Sequence, residues 1–435
     1  MNRSLRALHV FPLFGSDLTN GSERYEYMLT RKLVERGVRV DVLTTRSKRL
    51  RPTSAFSLAW VSDDGPVAQH ADGIHIWRFP ATFSLLARVG HACSRLIFRR
   101  WKKEEARHGT MMKGSRHLVD HYYMRALERP SVYDWMTVLG HGPHSLSLLG
   151  RLIRTIRDYD VILVGFMPFA LIWQVTHLAR LFKKPVVVLA LFHPEDIHHH
   201  FSIYYRCFAR ADAILAQTSY SAALFGRLFP QSRPIQVGAG VEHEIFTDGH
   251  VDGTRFRTKY GLLGKKVILF VGRKESSKRY DLAIEAIDLI AQEDVRLVMI
   301  GGDADGKPIS SPHVTYLGTV SREDLVDAYD ACAVFVLPSE HESFGIVFLE
   351  AWMRRKPVIG NAFCQSVASV IRDGEDGYLC STAKGIAERI QRLISDVPLA
   401  EKLGAAGYQK VMEHHTWDAV GGKVHDLYSR ICTTR

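Results

Sequence analysis

Val334-Phe335-Val336-Leu337-Pro338-Ser339-Glu340-His341-Glu342-Ser343-Phe344-Gly345-Ile346-Val347-Phe348-Leu349-Glu350 is the stretch on which the fold turns. Four apolar residues read as a strand buried on both faces, Pro338 stops it, and a polar loop follows. From Ile346 the apolar residues take helical spacing up to Arg354. Strand, loop and helix in that order make one half of a parallel β/α unit. The carboxyl end of such a strand is where open α/β sheets receive ligands. Glu342 precedes the helix and Glu350 is expected about two turns into it, with the amides of Phe344 to Val347 turned toward an anion or sugar oxygens. Taken alone, two glutamates at this spacing are an ordinary solvated helix start.

The same rhythm runs outward in both directions. Downstream of Lys265 the pattern predicts strands at Val267–Val271, Val295–Ile300, Val314–Leu317 and Pro357–Ile359, alternating with helices at Asp281–Gln292 and Arg322–Asp330. An earlier series has strands at Ala7–Leu13, Val38–Leu43, Val161–Val164, Val186–Phe192 and Ala213–Ala216, with helices at Tyr25–Arg36, Ala170–Phe182 and Ser221–Phe229. Gly238–Gly249 and the polar Asp252–Thr258 read as the linker. Two doubly wound parallel-sheet domains facing across a cleft are expected, without a fixed-period repeat. Residues 1–245 form the first, 246–412 the second, and 413–435 a last helix returning toward the first.

The chain has 435 residues, 57 Lys+Arg and 46 Asp+Glu, for a formal net charge of +11. Its 46% hydrophobic and 24% charged composition excludes a largely disordered chain, and no apolar run reaches the length of a membrane span. Arg3 and Arg6 precede an apolar stretch broken by His9 and Pro12, which does not read as a signal peptide. Cys93, Cys207, Cys332, Cys364, Cys380 and Cys432 are widely spaced, so free thiols in the cytoplasm are expected. Arg88 to Arg129 holds 11 basic and 4 acidic residues. Within a helical insert at about 85–135, Leu85, Leu86, Val89, Cys93, Leu96, Ile97 and Trp101 share one half of a helical wheel. Arg88, Arg95, Arg99 and Lys102 lie opposite. Such a helix is either a solvated surface element or one that lies on an anionic membrane surface. It carries no recognised nucleic-acid module, and no nucleic-acid partner is expected.

Two phosphate-binding patterns fail. Gly15–Ser22 does not supply the glycine spacing of a dinucleotide fold. Gly301–Lys307 has Pro308 where a P-loop needs a hydroxyl. His198-His199-His200 lack the spacing of a metal site, so no metal is expected and they are assigned to the acceptor cleft or its rim. A second strand end, Val271-Gly272-Arg273-Lys274-Glu275-Ser276-Ser277-Lys278, places Arg273 and Lys278 on a loop leading into a helix. Paired cations of this kind suit a pyrophosphate.

With these motifs in this order, nearly the whole chain resembles the family-4 retaining glycosyltransferases of the two-domain B fold. Asn20-Gly21-Ser22-Glu23 looks like that family's Gly-rich loop. Asp160-Val161-Ile162, Lys184-Pro185-Val186-Val187, Ala211-Asp212-Ala213-Ile214 and Val237-Gly238-Ala239-Gly240-Val241 match its middle segments. Tyr316-Leu317-Gly318, Pro338-Ser339 and Thr416-Trp417-Asp418 continue the match. The resemblance implies Rossmann-like domains and transfer of a hexosyl unit from a UDP- or GDP-linked sugar to a glycan, glycolipid or small-metabolite hydroxyl. Retention and no obligatory metal or cofactor go with it. It implies that Arg273 and Lys278 neutralise the donor diphosphate, with the Gly21 and Ser22 backbone against it. Glu350 would hold the ribose, and Glu342 with the Phe344, Gly345 and Ile346 amides the transferred sugar. Gly318 to Val320 would lie near the base, and His193 would touch the sugar or the acceptor. Catalysis is thus assigned to Glu342, His193, Arg273 and Lys278. Gly360–Ala368 departs from the family's glycine-paired loop, which leaves an inactive nucleotide- or carbohydrate-binding protein, or a nucleotide-sugar epimerase, as the alternatives.

Overall fold

The computed structural model describes residues 4–15, 21–53, 57–62, 67–81, 123, 126–127, 129–165, 167–196, 199–247, 249 and 251–433. The basic stretch at 85–129 lies almost wholly outside these residues. The chain divides into two units, residues 1–237 with 420–435, and residues 238–419.

In the first unit β1 (Arg6–Val10), β2 (Arg39–Thr45), β5 (Ala68–Ala71), β6 (Ile74–Phe79), β7 (Val161–Gly165), β8 (Val186–Leu189), β9 (Ala213–Ala216) and β10 (Pro234–Gln236) form one sheet. Its order is β10-β9-β8-β7-β1-β2-β6-β5. Every described pairing is parallel except β5 with β6. β3 (Ser47–Thr53) and β4 (Ser57–Ser62) form a separate antiparallel pair. No strand between residues 47 and 79 was expected from the pattern: Ala68–Ala71, mostly exposed, shows no apolar alternation, whereas Ile74–Phe79 does alternate, with Ile74 and Ile76 buried about an exposed His75, and was missed. The all-apolar β7, β8 and β9 are buried along their whole length, as strands covered on both faces must be.

The second unit is built on β11 (Lys266–Val271), β12 (Val295–Ile300), β13 (Val314–Gly318), β14 (Val334–Leu337), β15 (Val358–Asn361) and β16 (Gly377–Cys380). Its sheet runs β13-β12-β11-β14-β15-β16, parallel throughout. This is the doubly wound order in which the chain builds outward from β11 on one side and then from β14 on the other. Helix Gly253–Lys259 occupies most of Asp252–Thr258, the polar part of the expected linker. Asp252 caps it, accepting from the amides of Thr254 and Arg255 at 2.9 and 3.0 Å. Asp327 accepts from the Asp252 amide at 2.8 Å and from Arg255 at 2.6 Å, so the helix is part of the second unit.

The last helix, Trp417–Thr433, begins in the second unit and ends in the first. There Val420, Val424, Leu427, Tyr428 and Ile431 are buried, and Tyr428 meets His9 Nε2 at 3.1 Å. Among the described residues no helix is long and apolar enough to cross a membrane. Cys207, Cys332 and Cys380 are free thiols.

Candidate active site

In the second unit the topology itself makes an opening. After β11 the chain moves to β12 and β13, and after β14 to β15 and β16, so the loops following β11 and β14 diverge from adjacent strands. Both loops carry the residues singled out from sequence. They are stitched together: the Glu340 amide donates to the Ser277 carbonyl at 2.9 Å, and Arg279 Nη1 donates to Glu340 Oε1 at 2.6 Å. Between them Lys278 Nζ donates to Glu342 Oε1 at 2.6 Å, with only 17% and 12% of the two side chains exposed. The cation expected at a diphosphate and the carboxylate expected at a sugar are therefore one ion pair. Arg273 lies at the surface, its guanidinium 3.0 Å from Glu275 Oε1.

The loop after β14 turns into its helix at Gly345, whose φ of +89° favours glycine, and a Cβ there would lie 2.7 Å from the Phe348 ring. The helix starts at Ile346, which places Glu350 little more than one turn in rather than two. No side chain caps this start, and the Phe348 amide donates to the Gly345 carbonyl at 3.0 Å. Phe344 is buried with its ring edge-on to His415 at 5.3 Å, so its side chain anchors the loop and only its backbone is offered to a ligand. Glu350 is oriented by Tyr329, whose hydroxyl donates to Oε2 at 2.6 Å. Burial, then the charge of Glu350, push that phenol well above its ordinary pKa, so it remains a donor. Gly318, φ +65°, ends β13 and accepts from the Gly301 amide at 2.8 Å, and Val320 is half-buried two residues on. The glycine-poor loop after β15 is tied to the one after β14 by Asn361, which donates to the Pro338 carbonyl at 3.2 Å.

Lys274, Asp303, Asp305, Tyr280 and Tyr329 were not singled out from sequence. Lys274 is 1% exposed and bonds Asp303 at 2.7 Å, Asp305, and the Lys307 carbonyl at 2.8 Å. Tyr280 donates to Asp305 at 2.6 Å. Burial opposes the ammonium, but Asp303 and Asp305 outweigh it and raise its pKa. Asp305, which burial alone would push up, is drawn down to about 2 chiefly by Lys274 and Tyr280. A signal did exist. Val271 and Ile300 are register partners on adjacent parallel strands, so the third residues beyond them, Lys274 and Asp303, emerge side by side.

The first unit has its own divergence, between β1 and β7. Gly21, exposed, and Ser22 open the helix Gly21–Glu35. His193 lies four residues beyond β8, half-buried, with its amide 3.3 Å from His199 Nδ1. His199 and His200 are buried, so they do not stand on an exposed rim, and His198 lies outside the described residues. His200 reaches Tyr205 Oη at 2.9 Å and the Pro194 carbonyl at 2.8 Å. Glu26, also unforeseen, is fully buried, and neither of its carboxyl oxygens has a hydrogen-bond partner among the described residues. A Cβ on Gly165, the last residue of β7, would lie 2.6 Å from Oε1. Burial first and Glu23 second push this carboxyl well above the ordinary range. Among the described residues no group of three or more His, Cys, Asp or Glu side chains could hold a metal ion.

These groups give the first unit a defined response to pH. Burial lowers His9 to about 3 and His200 to about 4, so on acidification below 6.5 the unfolded chain binds protons that the folded chain refuses. Glu26 has the opposite sign, because the folded chain keeps a proton that the unfolded chain releases above about 4.5. Its stabilisation is present below that value and lost as pH rises. Each proton is worth about 1.4 kcal/mol per pH unit. Glu26→Gln is expected to raise the melting temperature at pH 8 and to steepen its fall between pH 6.5 and 5. Parallel melting profiles for variant and parent would refute this.

A family model described as glycosyl transferases, group 1, matches residues 253–410. A D-inositol 3-phosphate glycosyltransferase of Corynebacterium diphtheriae is 28% identical over 212 residues, 44% of this chain and 49% of that protein. The aligned part thus spans about half the length of such curated relatives. Sucrose-phosphate synthase from Thermosynechococcus elongatus has a similar fold, with TM-score 0.66 and 16% identity over 99% of this chain and 100% of that one. So does Anabaena HepE, solved in complex with UDP and glucose, with TM-score 0.65 and 14% identity over 98% of this chain and 100% of that one.

Proposed function

We propose that this chain, which matches the glycosyl transferases group 1 model over residues 253–410 and shares the fold of sucrose-phosphate synthase, is a glycosyltransferase that performs retaining transfer of a hexosyl unit from a UDP- or GDP-linked sugar to a hydroxyl acceptor. The observation that carries this is the Lys278–Glu342 pair held where the β11 and β14 loops diverge. Arg273 and Lys278 meet the charge that grows on the diphosphate as the sugar leaves. Entry of the diphosphate draws Lys278 toward phosphate, and Glu342 accepts from the sugar hydroxyls in place of that ammonium. Glu350, steered by Tyr329, takes the ribose hydroxyls, and Gly318 to Val320 border the base. The leaving phosphate takes the acceptor's proton on the face it departs from, so no protein carboxylate acts as general base and no metal or cofactor is required. His193 is assigned to the sugar or acceptor, and the acceptor is a glycan, a glycolipid or a small metabolite. The basic stretch at 85–129 is assigned to an anionic membrane surface, which would make the protein peripheral on the cytoplasmic face.

A melting screen with UDP, GDP, ADP and their sugars tests the donor. At a hundred times its Kd the correct nucleotide adds about 2.7 kcal/mol, a rise of roughly 5–10 °C for a unit of this size. No shift with any of them, together with no transfer, would remove the reading.

A further inference from the structure

Lys274 has the wrong surroundings for a ligand-binding cation. It is 1% exposed, and its ammonium is used up by Asp303, Asp305 and the Lys307 carbonyl. The backbone repeats the connection, since the Lys274 amide donates to the Gly302 carbonyl at 2.9 Å and the Ala304 amide to the Lys274 carbonyl at 3.1 Å. The loop after β12 is tied onward to β13 in turn. The Gly301 amide donates to Gly318, and Tyr316 Oη donates to the Gly301 carbonyl at 2.7 Å. One continuous set of bonds thus joins the loop bearing Arg273 and Lys278 to the strand end bearing Gly318.

We infer that Lys274 is a positioning residue that fixes the distance between the diphosphate-binding cations and the base-bordering loop, so that both ends of one nucleotide engage together. The inference rests on the donor site proposed above. Two half-sites at fixed separation bind a joined ligand far better than its separate parts, because the ordering cost is met once. Loosening the separation penalises the joined ligand and spares the parts. A loss of fold would instead weaken all three alike.

Calorimetric titration of the full chain with UDP, GDP, uridine, guanosine and inorganic pyrophosphate distinguishes these cases. Lys274→Met would leave two carboxylates facing each other, so the informative variant is Lys274→Met with Asp303→Asn and Asp305→Asn, which removes all three charges together. Asp305→Asn alone is the milder companion if the triple variant does not fold. The nucleoside diphosphate that the parent binds is expected to bind the triple variant about tenfold to a hundredfold more weakly. Asp305→Asn is expected to weaken it at least threefold. In both, nucleoside and pyrophosphate affinities stay within about twofold of the parent. A diphosphate affinity within twofold of the parent in the folded variant overturns the inference and leaves the proposed function standing. So does an equal loss for all three ligands. A parent that binds neither diphosphate overturns both.

Discussion

Lys278→Ala is expected to lower the transfer rate by about 10²–10³, the usual result of removing one preorganised stabiliser of developing charge. Glu342→Ala should fall in the same range for a different reason, since it takes away the group assigned to the sugar. The pairing at 2.6 Å couples the two losses. Removing Lys278 leaves a carboxylate 12% exposed without that cation, and removing Glu342 leaves an ammonium 17% exposed without that acceptor. The double variant should therefore lose much less than the product of the single losses. Steady-state rates for Lys278→Ala, Glu342→Ala and the pair, with saturating donor, decide this. Near-parental turnover in both single variants would exclude the assigned roles.

The second large effect is on the fold. Gly301→Ala is expected to destabilise the second unit by about 2–6 kcal/mol, adding the cost of a glycine-only backbone to that of overpacking. Gly301 has φ +144°, and a Cβ there would lie 2.0 Å from the Gly272 carbonyl oxygen. Neither atom can give, since both are backbone at the ends of adjacent strands β11 and β12. The melting temperature of that unit should fall by roughly 5–20 °C. Gly302→Ala, whose Cβ would meet only Thr319 Oγ1 at 3.7 Å, is the control and should change little. Equal melting of the two variants would show that the close approach is not what Gly301 serves.

The β/α rhythm was legible because strands buried on both faces must be apolar along their length. Val267–Val271, Val334–Leu337 and Ala213–Ala216 advertise themselves for that reason. Asp252–Thr258 was misread because its partners, Asp327 and Asp330, lie more than 70 residues away and local composition shows only polarity. The residue types of the candidate site were readable and their pairing was not. Lys278 and Glu342 are 64 residues apart and meet only once β11 and β14 are neighbours. Tyr329 reads as an apolar-face helix residue, and its role toward Glu350 emerges from packing alone. Glu26 sits among helix residues that look like any amphipathic pattern, and nothing in sequence tells that its carboxyl faces Gly165.

The tie between His9 and Tyr428, 419 residues apart, has a consequence for synthesis on the ribosome. Residues 238–419 are contiguous, so the second unit can complete its core as soon as its own chain has emerged. The first unit is translated earlier and finishes later. Val420, Val424, Leu427, Tyr428 and Ile431, buried in the first unit, are translated only after the whole of the second unit. Until then His9 lacks Tyr428, so the first unit completes its core after the second, and removal of residues 420–435 would leave that core incomplete.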